Sequence, residues 1–544
     1  MASHQEPRLI IIGCGIAGIA LAAGLRTRLN YQNFTIYERE VALGGTWHLN
    51  TYPGVGCDVD SHLYSFSFNP NPDWSKRFAE QGEILQYLND TVDKFGIRPH
   101  VRLQMEVDSA EWIEERSVWR VNLVDLATGH KFSREAEMLV SCVGTISVPK
   151  DCTISGHNNF KGQIWHSARW NHEFDMAGKT VAVVGNGCSG AQLMPYVVKT
   201  AAHVVQFQRS AQWINERPNR EFTPFEKWCF RHLPLYHRLY RFYLWKTTDS
   251  LHDLYLGNSP AAARKRAVQT REAEKYMRRV APAKFHDLLI PDFPLGCKRR
   301  IFDPDYLECL HSPNVELTDE SIVEFTKAGL QTTKRHLGFD AVILSTGFKI
   351  QEFLTPMEIK GRSGKTINEH WKETRGAQAY RATFVSGFPN FGIVFGPNAF
   401  PAHNSCIFSN ETQAEYIIKT LVAPIVKHHF DVIDVKEAAE TRDANFVQEK
   451  LKGMVWSSGC ANWNLDAAGR NTTNYHDPTW KFWWQLYWPI WKDFNIYGGN
   501  GSLPISPFSK LALWGVLTGA LVSSLALGLS ASFSGSRYGA VGYM

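Results

Sequence analysis

The 544-residue chain reads as an α/β protein of two parallel-sheet units, with a helical insertion and a C-terminal transmembrane helix. Three observations predict this. Two glycine-rich turns, Gly13-Cys14-Gly15-Ile16-Ala17-Gly18 and Gly185-Asn186-Gly187-Cys188-Ser189-Gly190, each follow a β-branched apolar run, Leu9 to Ile12 and Thr180 to Val184. Between Glu221 and Leu289, Trp, Leu, Tyr and Arg recur at helical spacings with strong charge and few strand signals. No charged residue lies between Lys510 and Arg537, and Leu511 to Leu529 would span about 28 Å as a helix, close to one hydrocarbon thickness.

Strand, glycine turn and helix in that order form the fingerprint of a dinucleotide site: the glycines let the backbone approach a pyrophosphate that rests on the helix N-terminus. The fold class is therefore two Rossmann-like dinucleotide-binding domains. The first unit continues through a helix from Ile16 to Leu25 and a strand from Phe34 to Tyr37, and ends at Glu38, twenty residues after Gly18. A carboxylate there takes ribose hydroxyls, which suits FAD or NAD and repels a 2′-phosphate. In the second unit the strand His203 to Phe207 is followed by Arg209, whose guanidinium pairs with phosphate and so selects NADPH. Gly13, Gly15, Ala17, Gly18, Glu38 and Arg39 are the predicted FAD contacts, and Gly185, Gly187, Ser189, Gly190, Arg209 and Ser210 those of NADPH.

Apolar runs from Met138 to Gly144 and from Ala341 to Gly347 read as late strands where the chain crosses between domains. That divides the chain into an FAD domain at 1–145, an NADPH domain at 146–349 with its helical insertion at about 221–289, a second FAD part at 350–500, and a candidate anchor at 511–533. Two bound dinucleotides imply electron transfer from a nicotinamide to a flavin.

The 58 basic and 53 acidic residues leave a formal charge of +5 with no long basic run, so nucleic acid is not an expected partner. The ten cysteines are scattered without CxxC or CxxxxC spacing, which removes a zinc ribbon and the redox pair of a disulfide reductase, and fits a reducing compartment. No metal site is expected. A polar N-terminus that runs straight into the first strand leaves no room for a secretory signal, so the expected placement is a C-terminal membrane anchor with the catalytic part facing the cytosol. Trp480, Trp483, Trp484, Trp488 and Trp491 form one helical stripe interrupted at Pro489. Core packing is the expectation for it, and an aromatic belt at a membrane surface is the functional alternative.

One stretch between the glycine turns is more specific: Phe160-Lys161-Gly162-Gln163-Ile164-Trp165-His166-Ser167-Ala168-Arg169-Trp170. It resembles the FxGxxxHxxxW fingerprint of type I Baeyer–Villiger monooxygenases at every specified position, with Asn171 where Pro or Asp usually follows. A second stretch similar to that family's is Gly44-Gly45-Thr46-Trp47, then Tyr52-Pro53-Gly54 and Asp58. The resemblance extends to about residue 500 and is closest to the fungal branch. It implies an FAD- and NADPH-dependent monooxygenase that uses O2 and a C4a-peroxyflavin to convert a small-molecule ketone into an ester or lactone, in fungal secondary metabolism. Arg299 is implied as the catalytic cation and Asp58 as its partner near the flavin, with Arg300 left open as the alternative register. Lys298 is implied at the NADPH phosphate, Trp463 on a loop over NADP, and Gly45, Thr46, Trp47, Asp58, Tyr64 and Val107 at the FAD. His166 is implied to couple the two domains rather than to move protons. An amine- or sulfide-oxidising flavin monooxygenase is the near alternative, and a membrane-tethered flavin-fold scaffold the remote one.

Overall fold

The computed structural model describes residues 6–257 and 259–499. Two five-stranded parallel sheets form its centre. The first runs in the order Phe391–Ile393, Met138–Ser141, Leu9–Ile12, Phe34–Tyr37 and Val101–Arg102. The second runs in the order Val315–Thr318, His203–Phe207, Thr180–Val184, Ala341–Leu344 and Gln163–His166. Every residue of Leu9–Ile12 is buried, as a continuous apolar run requires of a strand covered on both faces.

In each sheet the glycine turn leaves the middle strand, the next two strands of that sheet add on one side of it, and a later strand, Met138–Ser141 or Ala341–Leu344, pairs on its other side. This is the topological switch point at which open α/β sheets bind ligands. The strand Phe391–Ile393 joins the first sheet only after the second is complete, so the first unit is discontinuous in sequence. The two crossings run side by side: the Lys150 amide donates to the Gly347 carbonyl at 2.9 Å and the Lys349 amide to the Val148 carbonyl at 2.9 Å. Helices Pro224–His232, Pro234–Asp249 and Pro260–Val280 follow the strand His203–Phe207 before the second sheet resumes.

Two expectations are corrected. Among the described residues no helix is long and apolar enough to cross a membrane. The longest of them, Pro260–Val280, carries charge along its length, and the segment 511–533 expected to form the anchor lies outside the described residues. The membrane tether loses its footing with it. The tryptophan stripe does form a helix, Thr479–Tyr487, but Phe482 and Leu486 fill its inner face and leave Trp480, Trp483 and Trp484 exposed rather than in the core.

Candidate active site

The first glycine turn works by backbone contact. Gly13 has φ +96°, and a Cβ on Gly18 would stand 2.1 Å from the Gly13 carbonyl oxygen, so the helix Ile16–Gly24 starts directly under the turn. The Gly44-Gly45 turn closes on it, since a Cβ on Gly45, at φ +55°, would lie 2.9 Å from the Gly15 Cα. Glu38 ends the second strand, buried, and accepts from the Cys14 amide at 2.7 Å and the Glu40 amide at 3.0 Å. Burial, the largest effect on this carboxyl, raises its pKa. Lone pairs remain on both oxygens for a ribose.

Around this frame lies a cavity with about 1260 Å³ of empty space, its open mouth included. Gly13, Gly15, Ala17, Glu38, Arg39, Gly45, Thr46, Trp47, Tyr64 and Val107 all border it. Gly18 stands behind the turn and Asp58 outside this lining. Trp47 is held by its indole N–H, which donates to the Tyr64 hydroxyl at 3.2 Å. The sequence carried no signal for Phe395, Phe400 and Cys406, which border the same cavity from the returning chain. Phe395 and Phe400, with Ile146, Phe353 and Trp463, also line a shallow recess with about 250 Å³ of empty space, its open mouth included.

The second turn repeats the plan, with Gly185 at φ +116° and a Cβ on Gly190 only 2.5 Å from the Gly185 carbonyl oxygen. Arg209 follows the strand and is exposed, and beside it the Lys298 ammonium donates to the Ser210 hydroxyl at 2.6 Å. Burial first, and then the Arg209 guanidinium, lower the Lys298 pKa. Two cations and a hydroxyl within one another's influence, at the far end of the second strand, form an anion site. Ser189 meets the other unit instead: its hydroxyl accepts from the Tyr52 hydroxyl at 3.3 Å, while Tyr52 also donates to Gln192 at 2.7 Å. Gly54, at φ +81°, passes so close that a Cβ would be 2.5 Å from the Gln192 carbonyl oxygen. The Tyr52-Pro53-Gly54 turn is thus a buttress between the two nucleotide units.

Four residues past that turn, Asp58 receives Arg299 from the second unit, with Nε at 3.1 Å and Nη2 at 2.5 Å from Oδ2. The Asp58 charge, against the opposing effect of burial, raises the Arg299 pKa above its ordinary value, so the guanidinium stays cationic at any working pH. Its carbon lies 5.7 Å from the Phe400 ring centroid, and Phe400 walls the large cavity, so the pair stands behind that wall. Arg300 instead stacks on Phe302 at 5.8 Å. The arrangement holds a permanent cation where the two glycine-turn units meet.

Trp463 packs on Phe400 with ring centroids 5.5 Å apart, and its carbonyl accepts from Gln351 at 2.7 Å. Its loop is tied to the Arg299 segment by a Cys297–Cys460 disulfide spanning 163 residues, a pairing that the scattered cysteine spacing did not announce. His166 is at the domain crossing, its ring 5.7 Å from Phe348 and its Nδ1 accepting from the Ala168 amide at 3.1 Å. Burial lowers its pKa to about 4, so it is neutral at pH 7.

Comparisons with known proteins bear on this site. A model of the flavin-binding monooxygenase-like family matches residues 6–236. The chain is 35% identical over 486 residues to a Baeyer–Villiger monooxygenase of Streptomyces coelicolor, covering 88% of this chain and 90% of that one. It is 31% identical over 547 residues to the FAD-binding monooxygenase ktnD of Aspergillus niger, covering 98% and 89%. Its fold matches an oxidised steroid monooxygenase bound to NADP with a TM-score of 0.78 at 26% identity, covering 91% of this chain and 100% of that one.

Proposed function

The chain belongs to the Baeyer–Villiger monooxygenases, and we propose from that premise how its own residues carry out the reaction. It is an FAD- and NADPH-dependent enzyme that inserts one oxygen atom of O2 beside a ketone carbonyl to give an ester or lactone. The observation that carries the residue-level reading is the Asp58–Arg299 pair at the junction of the two sites.

The residues present fit both dinucleotides. The close backbone approach of Gly15 and Gly45 leaves room that a Cβ would fill, and Glu38 presents a carboxylate at the strand end where a ribose belongs. Gly185, Gly187 and Gly190 repeat that cradle, with Ser189 bracing it against Tyr52, and Arg209, Ser210 and Lys298 supply an anion site for the 2′-phosphate. FAD held by the first cradle would supply a hydride acceptor for NADPH and the means of activating O2.

The protein supplies position and field. Arg299 places a fixed charge where negative charge develops on the oxygen delivered and then on the ketone oxygen, in a site partly closed to water. Asp58 is a positioning residue: its bond to the guanidinium sets the direction of that charge. Tyr52 and Gly54 hold the Asp58 segment against the helix Cys188–Thr200 of the second unit, so the two halves of the pair keep register. The ketone's carbon skeleton is assigned to the part of the large cavity walled by Phe395 and Phe400, with the Trp463 loop covering NADP. The Aspergillus relative supports a fungal secondary-metabolite ketone as substrate class.

Given NADPH, O2 and a panel of ketones, amines and sulfides, the enzyme is expected to form ester or lactone from a ketone. Formation of N-oxide or S-oxide alone would show the other oxygenation chemistry. Arg209→Ala should weaken NADPH use far more than NADH use, reducing the preference about ten- to a hundredfold, the worth of one charge-assisted bond. Steady-state kinetics with the two cofactors checks this, and equal losses would remove Arg209 from phosphate recognition.

A further inference from the structure

The helix Pro234–Asp249 is amphipathic in the inverted sense. Its inward residues include His237, Leu244 and Arg241, and Arg241 donates to the Ser65 hydroxyl at 2.7 Å and the Ser65 carbonyl at 3.1 Å. Its outward line is Leu235, Leu239 and Phe242, 69%, 57% and 55% exposed, with Tyr243 beside them at 62%. The preceding helix, Pro224–His232, adds Phe225 and Trp228 to the exposed set. The helix Thr479–Tyr487 adds Trp480, Trp483 and Trp484, and the two helices are joined where the Trp245 indole donates to the buried Thr479 hydroxyl at 3.1 Å. Eleven of the twenty large apolar side chains exposed among the described residues belong to 225–243 and 480–484. Exposed apolar side chains concentrated in this way mark a binding surface.

The charge around it is one-sided. Lys227, Arg238 and Lys246 form no ion pair with any described residue. The two acids of the helix pair are already engaged, Glu226 at the surface by Arg220 and Thr223, and Asp249 inside the protein by His403 and Thr479. Trp and Tyr with Leu and Phe on one face and unpaired cations at its edge match the layering of a lipid interface, with apolar chains below, aromatic rings at the headgroups and anionic phosphates above. A helix need not cross a bilayer to use it.

We propose that the face formed by the helices Pro234–Asp249 and Thr479–Tyr487 docks the enzyme flat on an anionic phospholipid surface, its apolar side chains entering the headgroup region and its cations meeting lipid phosphates. The oxygenation chemistry is not needed for this inference.

The test is sedimentation of the full-length, FAD-loaded protein with vesicles of phosphatidylcholine alone and of phosphatidylcholine with phosphatidylserine. The wild type should bind the anionic vesicles more tightly than the neutral ones. A Leu235→Gln, Leu239→Gln, Phe242→Gln variant should retain its flavin and lose about tenfold or more in vesicle partitioning. Arg238→Gln with Lys246→Gln should lose about fivefold per cation on anionic vesicles only. Equal binding by wild type and apolar variant would overturn the proposal by placing any lipid contact elsewhere in the chain. So would absence of binding, or an apolar variant that turns a dimer into a monomer with vesicle binding unchanged, which would assign the face to a second copy.

Discussion

Arg299→Ala is expected to yield a protein that binds FAD, accepts hydride from NADPH, and fails to oxygenate ketones. The guanidinium is a permanent cation paired across the two units, and its charge is directed by Asp58 at 2.5 Å. Loss of one preorganised charge stabiliser costs about 10² to 10³ in turnover, so ester formation should nearly vanish. NADPH is held mainly by the second glycine turn and the Arg209, Ser210 and Lys298 group, which the substitution leaves in place, so flavin reduction followed by absorbance should persist. Electrons that reach oxygen without a competent ketone step should leave as hydrogen peroxide. Asp58→Asn should lower turnover less, since the cation remains while its orientation loosens. Near wild-type ester production by Arg299→Ala would remove this residue from the chemistry and direct attention to Arg300.

Gly18→Ala should abolish flavin binding. The new methyl carbon would meet the Gly13 carbonyl oxygen at 2.1 Å, and that oxygen belongs to a turn fixed between the middle strand and the helix. Neither atom has a flexible side chain to move, so the turn must open and the FAD cradle with it. Purified Gly18→Ala protein is expected to be colourless or insoluble. Gly82 provides the control: no atom lies within 4 Å of its Cβ position, at the start of the helix Gln81–Lys94. Gly82→Ala should keep its flavin and gain about 0.5 to 1 kcal/mol from helix propensity. A fully flavinylated Gly18→Ala protein would contradict the account of the first turn.

Local chemistry was legible where the backbone itself performs the function. Gly13, Gly15 and Gly18 are spaced by what a turn over a pyrophosphate requires, and Glu38 by the length of one helix and one strand, so their places could be derived from the sequence alone. The Asp58–Arg299 contact joins residues 241 apart, and no local pattern carries it; only the resemblance did. Phe395, Phe400 and Cys406 reach the cavity because the returning strand Phe391–Ile393 pairs beside Met138–Ser141, a topological fact that periodicity does not record. The sequence places Tyr52 in a family-like stretch with Asp58, but no local pattern shows that its hydroxyl braces the facing domain at Ser189 and Gln192. The tryptophans of Thr479–Tyr487 misled for a physical reason. Helical spacing shows that apolar residues share a face, but not which way that face turns, and here Phe482 and Leu486 already occupy the inner side.

The central claim is that this chain moves one atom of molecular oxygen into the bond beside a ketone carbonyl. The direct measurement is turnover with NADPH under ¹⁸O₂ in unlabelled water, with the ketone panel and mass analysis of the product. The account predicts an ester or lactone heavier than its ketone by a single ¹⁸O, with no label acquired when ¹⁸O is supplied only as water. Consumption of NADPH and oxygen with every ketone recovered unchanged, or label appearing only in an N-oxide or S-oxide, would contradict it.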